Sequence, residues 1–216
     1  MKHAGGIINT VHVIDDDQDV VKAIDWTLRS VGYNVQVYST ARDFLDLAQP
    51  GDFGCLIVDL LLPGMTGLEL CRQMVANEWR FEFVMISAHG EVSTAVEVMK
   101  LGAVDFLEKP CSRQRLLEAV HMGLDRVMRQ QHDIREEDEV AGRLESLSCR
   151  EREVFDAMAA GLVTKEIARE LGISPKTVDV HRSKIADKLQ IESPAQIGHL
   201  VYMLNRRSER LKRSAR

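Results

Sequence analysis

Five polar side chains among the first 109 residues of the sequence have the types and spacing to handle a phosphoryl group. Asp59 ends the apolar run Cys55-Leu56-Ile57-Val58 and stands shortly before Pro63-Gly64-Met65-Thr66-Gly67. Such a run reads as a strand buried on both faces, with a loop forced behind it. A carboxylate there can be a nucleophile, a metal ligand or both. Asp15 and Asp16 follow a second apolar run, Ser87 a third and Lys109 a fourth. Three carboxylates brought together repel strongly without a cation, and hard oxygen ligands with room for water suit Mg²⁺. Lys109 adds a point charge and Ser87 a hydroxyl for phosphate oxygens. Together these groups can carry out phosphoryl transfer.

A parallel sheet brings them to one place. Residues 10–14, 35–38, ending at Asp59, 83–87 and 104–107 read as five strands. Between them Val20, Val21, Ile24 and Leu28 recur at helical spacing. Helical segments also follow over 44–48, 68–76, 92–101 and from about Ser112. Strands alternating with helices predict a doubly wound, flavodoxin-like α/β domain over residues 10–128. Its carboxyl strand ends share one rim, where such sheets bind ligands. Residues 1–9 read as a disordered terminus.

Residues 10–125 resemble the receiver domain of bacterial two-component response regulators. The matching marks are Asp15-Asp16, Asp59, the 63–67 loop, Ser87-Ala88, Phe106 and Lys109-Pro110. The resemblance implies that Asp59 accepts a phosphoryl group from a histidine kinase. It implies that Asp16, Asp59 and the Leu61 main-chain carbonyl bind Mg²⁺, with Asp15 helping through water. Ser87 would bond the phosphoryl oxygen, Lys109 would pair with it, and the Lys109–Pro110 bond would be cis. Ser87 stands where many receivers have Thr. Phe106 stands where others carry Tyr; it is either plain core or a rotamer switch.

The helix from Ser112 carries Leu116, Leu117, Val120, Leu124, Val127 and Met128 at helical intervals. The charged stretch 129–146 is expected to be a helical linker, with Gly142 its weak point. Charge divides the chain. Residues 1–132 carry 12 Lys/Arg against 18 Asp/Glu, residues 133–146 carry 2 against 6, and residues 147–216 carry 14 against 9. Only the last part suits a polyanion.

That part, residues 147–205, reads as four short helices. Ser148 and Glu151 form a capping box, and Gly161 ends the first helix. Thr164 is expected to cap the second. Gly172-Ile173-Ser174 turns into the third, capped by Ser174 with Pro175 at its first position. Ser193 repeats this logic for the fourth. This is a helix-turn-helix pattern. On the helix from Pro175, Val178, Ile185 and Leu189 face inward. Lys176, Asp179, Val180, Ser183, Lys184 and Asp187 face out, as candidates to meet DNA. Ile197, Leu200, Val201 and Leu204 form an apolar stripe, either a dimer seam or packing against the first three helices. Residues 206–216 read as a disordered basic tail.

Residues 147–204 also resemble the DNA-binding domain of NarL/FixJ, or LuxR-type, regulators. The match runs through Leu147, residues 150–154, Gly161, Lys165-Glu166-Ile167-Ala168, Leu171, Ile173-Ser174, Lys176-Thr177-Val178, His181, Ile185 and Lys188-Leu189. It implies a recognition helix over 175–189, with Lys165 and Lys184 on phosphates and Ser174 and Thr177 at the interface. Asp179 departs from the Lys frequent there: it either weakens affinity or accepts from a cytosine amino group.

Both resemblances together imply a phosphorylation-controlled transcription factor. Its partners would be a histidine kinase and promoter DNA, with RNA polymerase a further candidate and homodimerisation on phosphorylation. No enzymatic role is expected beyond Mg²⁺-dependent self-phosphorylation and self-dephosphorylation at Asp59. A haloacid-dehalogenase-type phosphatase needs a second Asp where Leu61 stands, and a flavin protein needs a Gly-rich loop after the first strand. No apolar run is long enough for a transmembrane helix and no signal peptide is legible. The cysteines, Cys55, Cys71, Cys111 and Cys149, lack CxxC spacing and read as reduced, in keeping with a cytoplasmic protein.

Overall fold

The computed structural model describes residues 9–48, 52–88, 91–193 and 195–214. The chain divides into two units, residues 1–130 and 131–216.

In the first unit, five parallel strands stand in the order β2-β1-β3-β4-β5: β1 Thr10–Ile14, β2 Asn34–Tyr38, β3 Phe53–Asp59, β4 Arg80–Ser87 and β5 Asp105–Glu108. This is the flavodoxin-like order. The connecting helices are α1 Gln18–Arg29, α2 Ala41–Leu47, α3 Gly67–Ala76 and α4 Val92–Lys100. The central strands alternate between two cores. Val11, Val13, Cys55, Ile57, Val84 and Ile86 pack on one face of the sheet. Ile14, Leu56, Val58, Phe83 and Met85 pack on the other. This two-sided burial is why β3 is apolar at every position up to Asp59.

Helix α5, Arg113–Glu145, is continuous through the segment expected as a linker, Gly142 included. Four further helices follow: α6 Cys149–Ala159, α7 Thr164–Leu171, α8 Pro175–Leu189 and α9 Ala195–Ser214. Ser148 accepts from the Glu151 N–H while the Glu151 carboxylate takes the Ser148 N–H, the expected capping box. Gly172 is left-handed, with φ +65°, and Ser174 caps α8 with Pro175 at its first turn. Their core joins Val154, Phe155, Ile167, Val178, Ile185 and Leu189.

Two expectations are corrected, and one open alternative is decided. Residues 206–214 are not a disordered tail but the last turns of α9. Arg206 pairs with Asp133 and Glu137, Arg207 with Asp138, and Arg210 with Glu137 and Asp138, all from the second half of α5. Glu137 is only 2% exposed in this ladder. These arginines are therefore neutralised by carboxylates rather than free for DNA. Second, Thr164 does not cap α7. The N-cap is Val163, whose N–H is taken by the Glu166 carboxylate at 3.0 Å. Of the two readings of the α9 stripe, packing is the one observed: Ile197 and Leu200 are buried in the helical core, with Val201 and Leu204 against it. The expectation for residues 1–8 and 215–216 falls outside the described residues; Asn9 accepts the Asn34 N–H at a turn.

Candidate functional site: an acidic rim and an exposed helix face

Sheet register assembles the acidic site. Ile14 pairs with Val58, so Asp15 and Asp59 leave adjacent strands at the same level. Ser87 pairs with Glu108, and the Lys109 N–H donates to the Ser87 carbonyl at 2.8 Å, which brings Lys109 to the same rim. Lys109 Nζ lies 2.7 Å from Asp15 Oδ2 and 3.1 Å from Asp59 Oδ1. Asp15 and Ser87 are fully buried and Asp59 nearly so, whereas Asp16 is exposed. The Lys109–Pro110 bond is cis, as the receiver resemblance implied.

The three consecutive aspartates have three different surroundings. Asp15 also accepts the Asp17 N–H at 3.0 Å. Asp16 faces solvent. Asp17 caps α1, accepting from the Asp19 and Val20 N–H groups. Burial pushes the Asp59 carboxyl above the usual carboxylate range; Lys109 pulls it back, and Asp15 and Asp16 raise it further. Burial lowers the Lys109 ammonium, but its bonds to Asp15 and Asp59 outweigh this and hold it above its ordinary value.

Carboxylate oxygens of Asp15, Asp16 and Asp59 lie within 4.8 Å of one another. That all-oxygen, anionic set, with one member open to water, fits Mg²⁺, the ion receiver domains hold in such a pocket. Leu61, whose carbonyl was the remaining candidate ligand, leads the loop after β3. Just before it, the Leu60 N–H donates to the Ile86 carbonyl at 2.8 Å, and the Leu60 carbonyl accepts from the Gly67 N–H at 3.0 Å.

Gly67 was legible only as part of the loop motif, yet it sets the site's geometry. A Cβ there would stand 2.2 Å from the Asp59 carbonyl oxygen and 2.8 Å from Val58 Cγ1. Only glycine lets α3 start this close to Asp59. Thr66 and Glu69 form a capping box that fixes the same turn. Phe106 is half-buried, resting on the core while lining a surface depression of about 620 Å³ with Val92, Val96, Met99 and Arg115.

In the second unit α8 presents the expected face. Val178, Ile185 and Leu189 are buried, while Lys176, Thr177, Asp179, Val180, Ser183, Lys184 and Asp187 are exposed, as are Lys165 on α7 and the capping Ser174. Val180 is 49% exposed, an apolar side chain set among polar ones on this face. Lys188, met in the sequence only as part of a motif, braces α8. It donates to the Ser146 carbonyl at 3.1 Å and to Glu151 Oε2 at 2.6 Å. That bond, with the Ser148 N–H, holds the Glu151 carboxyl down at about 2.

Comparison with known proteins agrees with this two-part geometry. Residues 11–121 match the family described as response regulator receiver domain, and residues 145–201 match the luxR family of bacterial regulatory proteins. The chain is 41% identical over 183 residues to the transcriptional regulatory protein FixJ of Azorhizobium caulinodans, spanning 85% of this chain and 87% of that one. It is 35% identical over 214 residues to the response regulator protein TodT of Pseudomonas putida, spanning 99% and 91%. Among solved structures, response regulator StyR aligns with a TM-score of 0.76 at 39% identity, covering 89% of this chain and 98% of that one. Full-length FixJ from B. japonicum aligns with a TM-score of 0.56 at 37% identity, covering 90% and 96%. Among the described residues no helix is long and apolar enough to cross a membrane. The chain belongs to the NarL/FixJ family of two-component response regulators, transcriptional regulators that join a receiver to a LuxR-type DNA-binding domain and so stand between a kinase and DNA, rather than acting as enzymes in the ordinary sense.

Proposed function

We propose that Asp59 is the phosphoryl acceptor and that its phosphorylation controls promoter binding through α8. The carrying observation is Lys109 Nζ lodged between Asp15 Oδ2 and Asp59 Oδ1 at a rim where Ser87 is buried. An Asp59 oxygen attacks the phosphorus of a phosphohistidine, the P–N bond breaks, and the imidazole leaves. Lys109 offsets charge on the acceptor and on the phosphoryl oxygens, and the Ser87 hydroxyl donates to one of them. Asp16, Asp59 and the Leu61 carbonyl would hold Mg²⁺, with Asp15 acting through water; the ion would neutralise charge on both reacting groups. The same site would take a phosphoryl group from a small phosphodonor such as acetyl phosphate, with acetate leaving, and would lose it as inorganic phosphate to an attacking water.

A charge of about −1.5 to −2 then stands at Asp59. Drawing Ser87 and Lys109 toward it moves the ends of β4 and β5. Phe106, on β5 beside the depression against α4, is placed to turn and reshape that surface, favouring a homodimer. On DNA, Lys165 and Lys184 meet phosphates, while Ser174, Lys176, Thr177, Asp179, Val180 and Ser183 face the groove. RNA polymerase is a further partner and the cytoplasm the expected compartment. The test is labelling by acetyl phosphate with Mg²⁺. Wild type should be labelled, and Asp59→Asn and Asp16→Ala should not. Undiminished labelling of Asp59→Asn would overturn the assignment.

A further inference from the structure

Resting on that reading of α8 as the DNA-facing helix, we propose that Asp179 selects a cytosine in each operator half-site, and that Thr164 and Arg182 hold it in place. The argument starts from Thr164, whose hydroxyl is not spent on capping α7 because Val163 occupies the N-cap. Instead it bridges two side chains of α8. Arg182 Nη1 donates to Thr164 Oγ1 at 2.8 Å, and Thr164 Oγ1 donates to Asp179 Oδ1 at 3.4 Å. The direction is forced, since a guanidinium only donates and an ionised carboxylate only accepts. The chain of donors ends on Asp179, whose other oxygen has no hydrogen bond among the described residues.

That carboxylate is exposed in the first half of α8, the part of a recognition helix that meets base edges. A carboxylate on a DNA-facing surface repels every phosphate alike, so on its own it lowers affinity for all sequences. Arg182, one turn further along and joined through Thr164, offsets part of that charge. What remains is an acceptor without a donor. In the major groove, guanine and thymine present acceptors at the corresponding edge, and adenine sets its N7 acceptor beside its amino group. Only cytosine offers an amino donor, N4, with no acceptor beside it on the same base. Val180, the next residue, is exposed and apolar, suited to a thymine methyl near that cytosine.

The experiment is selection from a random duplex library by the full-length protein treated with acetyl phosphate, repeated with four variants. Wild type should enrich a motif with a fixed cytosine, and replacing that base should cost roughly tenfold in affinity. Asp179→Ala should lose the preference at that position alone. Asp179→Asn should move it to adenine, which an amide can satisfy at both N6 and N7. Thr164→Val should blunt the cytosine preference and Thr164→Ser should restore it, a rescue that a purely structural role for Thr164 would not show. An Asp179→Ala protein that binds all sequences more tightly with an unchanged motif would reduce Asp179 to simple repulsion and overturn the inference. Thr164→Val selecting as sharply as wild type would overturn the positioning role. A wild type that enriches no motif at all would overturn the reading of α8 itself, and this inference with it.

Discussion

Gly67→Ala should disable the proposed acceptor site at Asp59 while leaving the receiver folded. The added Cβ would meet the Asp59 carbonyl oxygen at 2.2 Å, whereas ordinary contact begins near 3.4 Å, so the two must part by about 1 Å. The obstacle is backbone and cannot rotate away. Either the start of α3 retreats, which strains the 3.0 Å bond from Gly67 N–H to the Leu60 carbonyl, or the end of β3 moves and carries Asp59 with it. Such overpacking costs about 1–3 kcal/mol of stability. Displacing the acceptor by about 1 Å from Lys109 and Ser87 is worth on the order of 100-fold in rate. Gly64 supplies the control. It has φ +85° and nothing near its missing Cβ, so Gly64→Ala pays about 1–2 kcal/mol of backbone strain without pushing on Asp59. Both variants should melt lower by similar amounts, followed by far-UV circular dichroism. Only Gly67→Ala should lose the initial rate of labelling by acetyl phosphate. Wild-type labelling of Gly67→Ala, or an equal loss in Gly64→Ala, would refute the close-approach argument.

Two other perturbations test the frame around the sites. His12 is buried, and burial lowers its imidazole to about 4, with Asp52 opposing weakly. The Tyr38 hydroxyl gives its proton to Gln36, so His12 Nδ1 must donate to Tyr38, at 3.1 Å, leaving a neutral ring among Tyr38, Phe44 and Phe81. The unfolded chain takes up the proton first, so this stability is fully present above pH ~6.5 and drains away as pH falls toward 4, by about 3 kcal/mol. His12→Leu should flatten that part of the pH–stability curve, and a curve as steep as wild type would sink the assignment. Glu137→Gln should cost about 1–3 kcal/mol, because it leaves Arg206 and Arg210 facing a buried neutral amide; their own partial exposure keeps the loss below that of a fully buried pair. An unchanged melt of the full chain would show the ladder to be idle.

The receiver core was readable because its periodicities are local. A run buried on both faces, such as residues 55–58, and the recurrence of Val21, Ile24 and Leu28 each declare an element without reference to distant chain. The site was readable as a set of strand ends, but not as a division of labour. Asp15, Asp16 and Asp17 look alike in sequence. Which one meets Lys109, faces water or caps α1 depends on where β1 stops and how it registers against β3. The end of α9 was misread for a related reason. Beyond Leu204 the sequence has arginines and no apolar stripe, which locally reads as a tail. The partners that hold it, Asp133, Glu137 and Asp138, lie about seventy residues earlier, and ion pairing over that separation leaves no periodic trace. Thr164 shows the limit of capping rules. One residue of offset turned an expected cap into a bridge between helices.

Charge at the acidic rim links the proposed phosphoryl transfer to the cation. Asp15, Asp16 and Asp59 together with Lys109 leave the site formally two charges negative. Lys109 is shared, 2.7 Å from Asp15 and 3.1 Å from Asp59. A phosphoryl group on Asp59 competes for that ammonium, and whatever Lys109 gives to the phosphoryl oxygens it withdraws from Asp15. Asp15 is fully buried and, among the described residues, would then keep only the Asp17 N–H, at 3.0 Å. Stranding a buried carboxylate in this way is costly, typically by 3–5 kcal/mol. The phosphorylated arrangement is therefore tolerable only if a second positive charge serves Asp15 as Lys109 turns away. Asp16, open to solvent within 4.8 Å of both partners, is the side from which a hydrated divalent cation can enter without unpacking the core. Lys109 and the cation thus divide one task. On the proposed reading Lys109 would neutralise the acidic pair before transfer and the phosphoryl group after it, while the cation would keep Asp15 from being left alone.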